Sequence, residues 1–195
     1  MTATKRQFLA TAAAGGLALT ATTASAAAPA RGPGLLTVTG AIGRGNRGPS
    51  DPKLDPMLDK FKTRFDKAHV FDFAAITALK AVTIRPTLED GKVHTLKGPL
   101  LADVLKAAGA PAADATKLAL RAVDGYTSEM DLAQARARRF IVATHLDGAP
   151  MNLGGTGPLW AVFDADRIPD VAAKPLGERY AGCPWALFHI DVQAA

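Results

Sequence analysis

Three Asp-Gly pairs punctuate the chain: Asp90-Gly91, Asp124-Gly125 and Asp147-Gly148. The aspartate side chain can bond its own backbone two residues on, and glycine enters positive φ without steric cost. An Asp-Gly pair therefore reverses a chain between two strands. Each pair follows a short run with strand character: "KAVTIRPTL", "KLALRAV" and "RFIVATHL". "LLTVTGAI", "KVHTLKG", "PLWAVFD" and "WALFHIDV" add further short strands. Helical patterns are fewer. A charged segment from Met57 to Lys67 and "DFAAITAL", with Asp72 as N-cap, predict two short helices. "PLLADVLKAAGA" predicts a third, with Pro99 in its first turn, Leu100, Val104 and Leu105 as its apolar stripe and Gly109 as its stop. "SEMDLAQARARR" predicts a fourth with a basic end. Helices so few and short cannot supply repeated crossovers, so the expected class is α+β, a mixed β-sheet in a single domain.

The domain is expected to span residues 35–195. Ahead of it, residues 1–26 carry a basic start (Lys5, Arg6), an apolar run and the small residues Ala24-Ser25-Ala26. This is the pattern of an export signal, too interrupted by Gly and Thr for a retained span. Its head resembles the twin-arginine export motif, with Lys5 replacing the first arginine. Residues 27–34 read as a flexible lead. The expected location is the periplasm, with no membrane span in the mature form. Removing Lys5 and Arg6 from 23 basic residues leaves 21 against 18 acidic ones. That small, interspersed excess argues against a nucleic-acid partner.

The single cysteine, Cys183, excludes an internal disulfide and the cysteine-based metal motifs. His69, His94, His145 and His189 stand too far apart for a metal-site spacing, so no metal site is expected. Three stretches carry candidate chemistry. In Asp124-Gly125-Tyr126 a carboxylate that can accept paired N–H donors lies beside an aromatic face, although a plain turn would look the same. In "GGTGPLW", the backbone N–H groups around Gly157 stand next to the Trp160 indole, an arrangement suited to a flat heterocycle, or simply to close packing. Arg44, Arg47, Arg85, Arg136, Arg138 and Arg139 would bind a polar ligand tail if they converged; the last three equally suit a solvated helix end.

The order "LTVTGAI", "LKGPLLADVLKAAG", "AVDGYTSEMDL", "ATHLDGAPM", "GTGPLWAVF", "WALFHIDV" covers nearly all of residues 36–192 and resembles the molybdopterin-binding domain of the sulfite-oxidase-type oxidoreductases. In that superfamily a cysteine just after the strand matching "AVTIRP" binds molybdenum. Here the position falls at or near Pro86, which has no ligand atom. The chain thus resembles a short, exported, cysteine-less branch whose members bind a reduced pterin and regulate a membrane enzyme of cyclic di-GMP turnover.

The resemblance implies a tetrahydropterin ligand, such as tetrahydromonapterin, and a GGDEF/EAL membrane protein as partner. It places Trp160 against the pterin ring and has Tyr126 and Asp124 line the same cleft. Asp124 would accept the paired N–H groups of the pyrimidine edge, with Glu129 second in line. Gly157, Thr87 and Arg85 complete the expected pterin-binding set. No catalytic residue is assigned. The alternative is a small molybdenum-cofactor oxidoreductase of the same superfamily, against which the missing cysteine counts.

Overall fold

The first and last strands of the domain lie side by side. In a computed structural model describing residues 32–43 and 45–194, β1 (Leu36–Gly40) runs parallel to β11 (Leu187–Gln193). Thr37 faces His189 and Gly40 faces Val192. The two-residue period turns Leu36 and Val38 to the same face, both fully buried, and Thr39 on the opposite face is buried as well. Gly40 ends β1 at φ +82°, and a Cβ there would stand 2.1 Å from the Val192 carbonyl oxygen. Only glycine fits that approach. The expected export signal, most of the lead and Arg44 lie outside the described residues. Where the lead becomes described, the Gly32 N–H donates to the Asp72 carboxylate at 2.8 Å.

This parallel pair is the middle of a five-stranded sheet. Around it lie β2 (His69–Phe71), antiparallel to β1, and on the other side β5 (Lys117–Ala122) and β6 (Thr127–Asp131), giving the order β2-β1-β11-β5-β6. One parallel pairing among antiparallel ones makes the sheet mixed. A second sheet, with order β3-β4-β8-β9, joins β3 (Ala81–Ile84), β4 (Leu96–Pro99), β8 (His145–Leu146) and β9 (Ala149–Pro150). Between them β7 (Ile141–Ala143) pairs with β10 (Trp160–Val162). Ile141, Val142, Ala143, Ala161 and Val162 have no exposed surface, so this ladder sits in the core. Burial on both faces explains why these runs are continuously apolar rather than alternating. Phe140 and Phe163, with ring centroids 4.9 Å apart, flank it.

The helices are short. They are α1 (Pro56–Lys60), α2 (Phe73–Thr77), α3 (Leu101–Ala107), α4 (Leu132–Ala137), α5 (Pro169–Ala172) and α6 (Leu176–Arg179). Asp72 caps α2 as expected, its carboxylate accepting from the Ala75 N–H at 2.7 Å. The α+β class with a mixed sheet in one domain is what the described residues show.

Several boundaries differ from expectation. Pro99 is the last residue of β4, opposite Ala81, and α3 begins at Leu101. Ladder pairing with β3 holds Pro99 extended, which outweighs its preference for a first helical turn. "TSEMD" is a strand, not helix: Ser128 and Met130 turn inward against β5, and Asp131 then caps α4 by accepting from Gln134 N–H at 2.8 Å. The helix in the 57–67 segment stops at Lys60, and Lys62 takes φ 56°. In "KVHTLKG" regular strand starts only at Leu96; before it, the chain is held by the Thr87–Val93 bridge and the His94 N–H to Pro86 carbonyl bond of 3.0 Å.

Candidate functional site

A cleft of about 570 Å³ opens where five segments meet. The β3–β4 connection brings Leu88, Glu89, Asp90 and His94 to it, and Leu146 of β8 backs them. The β5–β6 turn brings Asp124 and Tyr126. Thr156 and Trp160 come from the glycine-rich turn and β10. The segment before β11 adds Gly177, Tyr180, Ala181, Cys183 and Trp185. Three of the seven sequence-expected residues, Trp160, Tyr126 and Asp124, therefore share one cleft.

Each is set by local bonding. Asp124-Gly125 is the hairpin turn between β5 and β6, with Gly125 at φ +97°. The Asp124 carboxylate accepts the Tyr126 N–H at 2.8 Å, which fixes it at the rim. The Tyr126 hydroxyl donates to the Ala181 carbonyl, so the phenol spans from one side of the cleft to another while remaining 46% exposed. Trp160 is only 5% exposed. Its Nε1–H donates to the Cys183 carbonyl at 3.0 Å and its ring lies 5.8 Å from that of Tyr180. The indole belongs to the core and offers little of its face. Trp185, 47% exposed on the same cleft, is the accessible indole.

The other four expected residues lie elsewhere. Gly157 is buried where a Cβ would meet the Met151 backbone at 2.6 Å, a close-packing position outside the cleft lining. Thr87 is tied through its backbone: its N–H donates to Asp166 at 2.6 Å and its carbonyl accepts the Tyr180 hydroxyl at 2.8 Å. It thereby positions Tyr180 from behind. Arg85 is exposed and does not line the cleft. Glu129 lies on β6 beside a separate depression of about 400 Å³ with Lys117, Asp131 and Gln134. The described arginines do not converge. Arg47 pairs with Asp55, Arg136 with Asp114, and Arg138 lies over the Phe163 ring.

The cleft is acidic: Glu89, Asp90 and Asp124 line it, and no Lys or Arg does so among the described residues. Residues not expected from the sequence complete it, above all Trp185, Tyr180 and the Asp90–His94 pair. The signal for Trp185 was present in "CPWALF", which, like "GPLWAVF", sets a tryptophan between a proline and an apolar strand. Burial pushes the Tyr180 phenol up, with the nearby Asp166 carboxylate adding to it. Burial also pushes the Cys183 thiol up to about 12, so it stays protonated at neutral pH.

Pro86, the second residue past β3, carries no side-chain donor atom, and the one thiol on the cleft, that of Cys183, is 3% exposed. A flat heterocycle with N–H donors on its edge does suit an aromatic cleft with a rim carboxylate. No family model matches the chain, and no curated protein does.

Proposed function

We propose that the protein binds a reduced pterin in this cleft, as a sensor or regulatory protein rather than an enzyme, on a domain of the sulfite-oxidase-like type. One observation carries the reading: Asp124 and the aromatic side chains Tyr126, Tyr180, Trp160 and Trp185 line a single cleft. A pterin's pyrimidine edge presents an amino group and a ring N–H side by side, and one carboxylate accepts both. Each charge-assisted bond contributes roughly 1.5–3 kcal/mol. The exposed Trp185 indole supplies the stacking face, and Trp160 shapes the cleft behind it.

The lining, with three carboxylates and no Lys or Arg among the described residues, fits a tetrahydropterin with an uncharged side chain, such as tetrahydromonapterin. The resemblance in sequence order supports a periplasmic location and a GGDEF/EAL membrane protein as the partner that reads pterin occupancy. Calorimetry under anaerobic conditions with tetrahydromonapterin or tetrahydrobiopterin tests the reading. Saturable one-to-one binding is expected; the reading fails if no reduced pterin binds and none is released on denaturing freshly prepared protein.

A further inference from the structure

His94 stands between two carboxylates. Its Nδ1 lies 2.7 Å from Asp147 Oδ2, and its Nε2 lies 3.0 and 3.2 Å from the oxygens of Asp90. The two aspartates begin two different Asp-Gly turns, that of the β3–β4 connection and that of the β8–β9 hairpin. Both carboxylates are anchored as acceptors: Asp90 takes the Lys92 N–H at 3.0 Å and Asp147 the Thr95 N–H at 2.8 Å. Ionised carboxylates donate nothing, so both ring contacts are hydrogen bonds only when both ring nitrogens carry protons. A neutral imidazole can keep one of them and turns a bare lone pair toward the other carboxylate.

The contact that survives is the one to Asp147. It is the shorter, and Asp147 is further fixed by its own N–H to the Thr95 carbonyl at 2.8 Å. Asp90 is the side released. Its turn carries Leu88, Glu89 and Asp90 along the cleft, held otherwise by the Gly91–Leu88 and Leu88–Lys92 backbone bonds.

We propose that His94 is a positioning residue of the cleft: bridged between Asp90 and Asp147 it fixes the Leu88–Asp90 side, and loss of its second ring proton releases that side. The charged and titratable groups around it agree. On its own connection are Asp90 and Lys92, from the β8–β9 turn comes Asp147, and on the cleft lie Glu89, Asp124 and Tyr180. The hydrogen bonds to Asp147 and Asp90 hold the imidazolium above the usual histidine range. The bridge therefore persists above the ordinary histidine range and dissolves as pH rises through that raised value. For the ligand, this rests on the pterin reading above; the release of the turn does not.

The test has two arms, each run from pH 6 to 8.5 on the full chain, on His94→Gln and on Asp147→Asn. In the ligand-free arm, hydrogen exchange reports protection of the Leu88 and Gly91 amides. Protection in the wild type is expected to fall up to about fivefold with rising pH, the range of a partly exposed ion pair. His94→Gln should start at the lower level and stay flat, and Asp147→Asn should show a weaker fall. Equal protection in wild type and His94→Gln at pH 6 overturns the proposal. In the second arm, anaerobic calorimetry of tetrahydrobiopterin is expected to show affinity falling by a similar factor in the wild type, less in Asp147→Asn and not at all in His94→Gln. Because any titration of the ligand is common to all three proteins, superimposable wild-type and His94→Gln profiles also overturn it. If no pterin binds at any pH, the functional reading fails and the exchange arm alone decides the role of His94.

Discussion

The indole of Trp160 donates its Nε1–H to the carbonyl of Cys183, 3.0 Å away and 23 residues on. This bond ties β10 to the segment that leads into β11, and it separates the roles of the two tryptophans. Trp160→Ala should destabilise the fold by about 3–5 kcal/mol, the usual cost of emptying a large aromatic site. Trp185→Ala removes a half-exposed ring and should change stability little, while weakening a stacked pterin by roughly 1–3 kcal/mol. Urea unfolding and anaerobic calorimetry on both variants separate the effects. A Trp160→Ala protein with wild-type stability would show that the indole is not structural.

Asp124→Asn keeps the turn, because asparagine also accepts from the backbone N–H two residues on. Stability should stay within about 0.5 kcal/mol of wild type, as expected for an exposed site. Pterin binding should weaken by roughly 1.5–3 kcal/mol, because an NH₂ group now meets an N–H edge. Flat rings without that edge should bind the variant as well as the wild type. Equal losses for both kinds of ring would remove Asp124 from the recognition role.

His189 predicts a pH dependence of folding. It lies 2% exposed in β11, with Nε2 2.9 Å from the Thr39 hydroxyl, which in turn donates to Asp191 at 3.0 Å. Burial lowers its pKa to about 4; the Arg121 charge works in the same direction, against Asp191. The unfolded chain takes up a proton near pH 6.5 while the native one does not. Stability from this site is complete above about pH 6.5 and is lost progressively as pH falls to about 4, to a total of about 3 kcal/mol. Urea midpoints from pH 7.5 to 4 should show this slope in the wild type and lose it in His189→Gln. Parallel curves for the two proteins would contradict the assignment.

Cys183, 3% exposed and with its thiol pushed up to about 12, should resist thiol reagents in the native state. At pH 8 its labelling should run on the order of a thousandfold slower than that of an unperturbed cysteine, through the thiolate fraction alone. A chromogenic disulfide reagent with and without denaturant gives the ratio directly. Fast native labelling would mean that this part of the cleft is open.

Local turn chemistry was the most legible part of this fold. All three Asp-Gly pairs lie in turns between strands, since that preference belongs to the two residues themselves. The strands around Val38, Leu120 and Ile190 were readable for a similar reason, because alternation or continuous apolarity follows from what each face meets. Helix boundaries near strands were not. Pro99 and Ser128 each suit a helix locally, and tertiary pairing with β3 and β5 decides against it. The short helical turns between Ala165 and Arg179 left no periodic trace, being three or four residues each. The cleft was half legible. Asp124 and Tyr126 stand two residues apart in one turn and were visible together, whereas Asp90 and His94 meet Asp147 only because two hairpins place their tips side by side. The resemblance sets Trp160 against a ligand ring, and its glycine-rich turn alone suits either that or close packing; the hydrogen bond that buries it comes from a carbonyl no local pattern points to.

The parallel seam between β1 and β11 also sets an order of events. Thr39 and His189 are 150 residues apart, yet β11 lies at the centre of its sheet, with β2 and β1 on one side and β5 and β6 on the other. During synthesis, four of the five strands emerge before the one that joins them. Until Leu187–Gln193 arrives, β1 and β5 expose unpaired edges, and pairing across so long a loop is slow. A nascent chain stalled short of Leu187 is thus two open-edged fragments rather than most of a domain. Quality control that binds exposed strand edges has its longest opportunity on this protein until Leu187–Gln193 has been made.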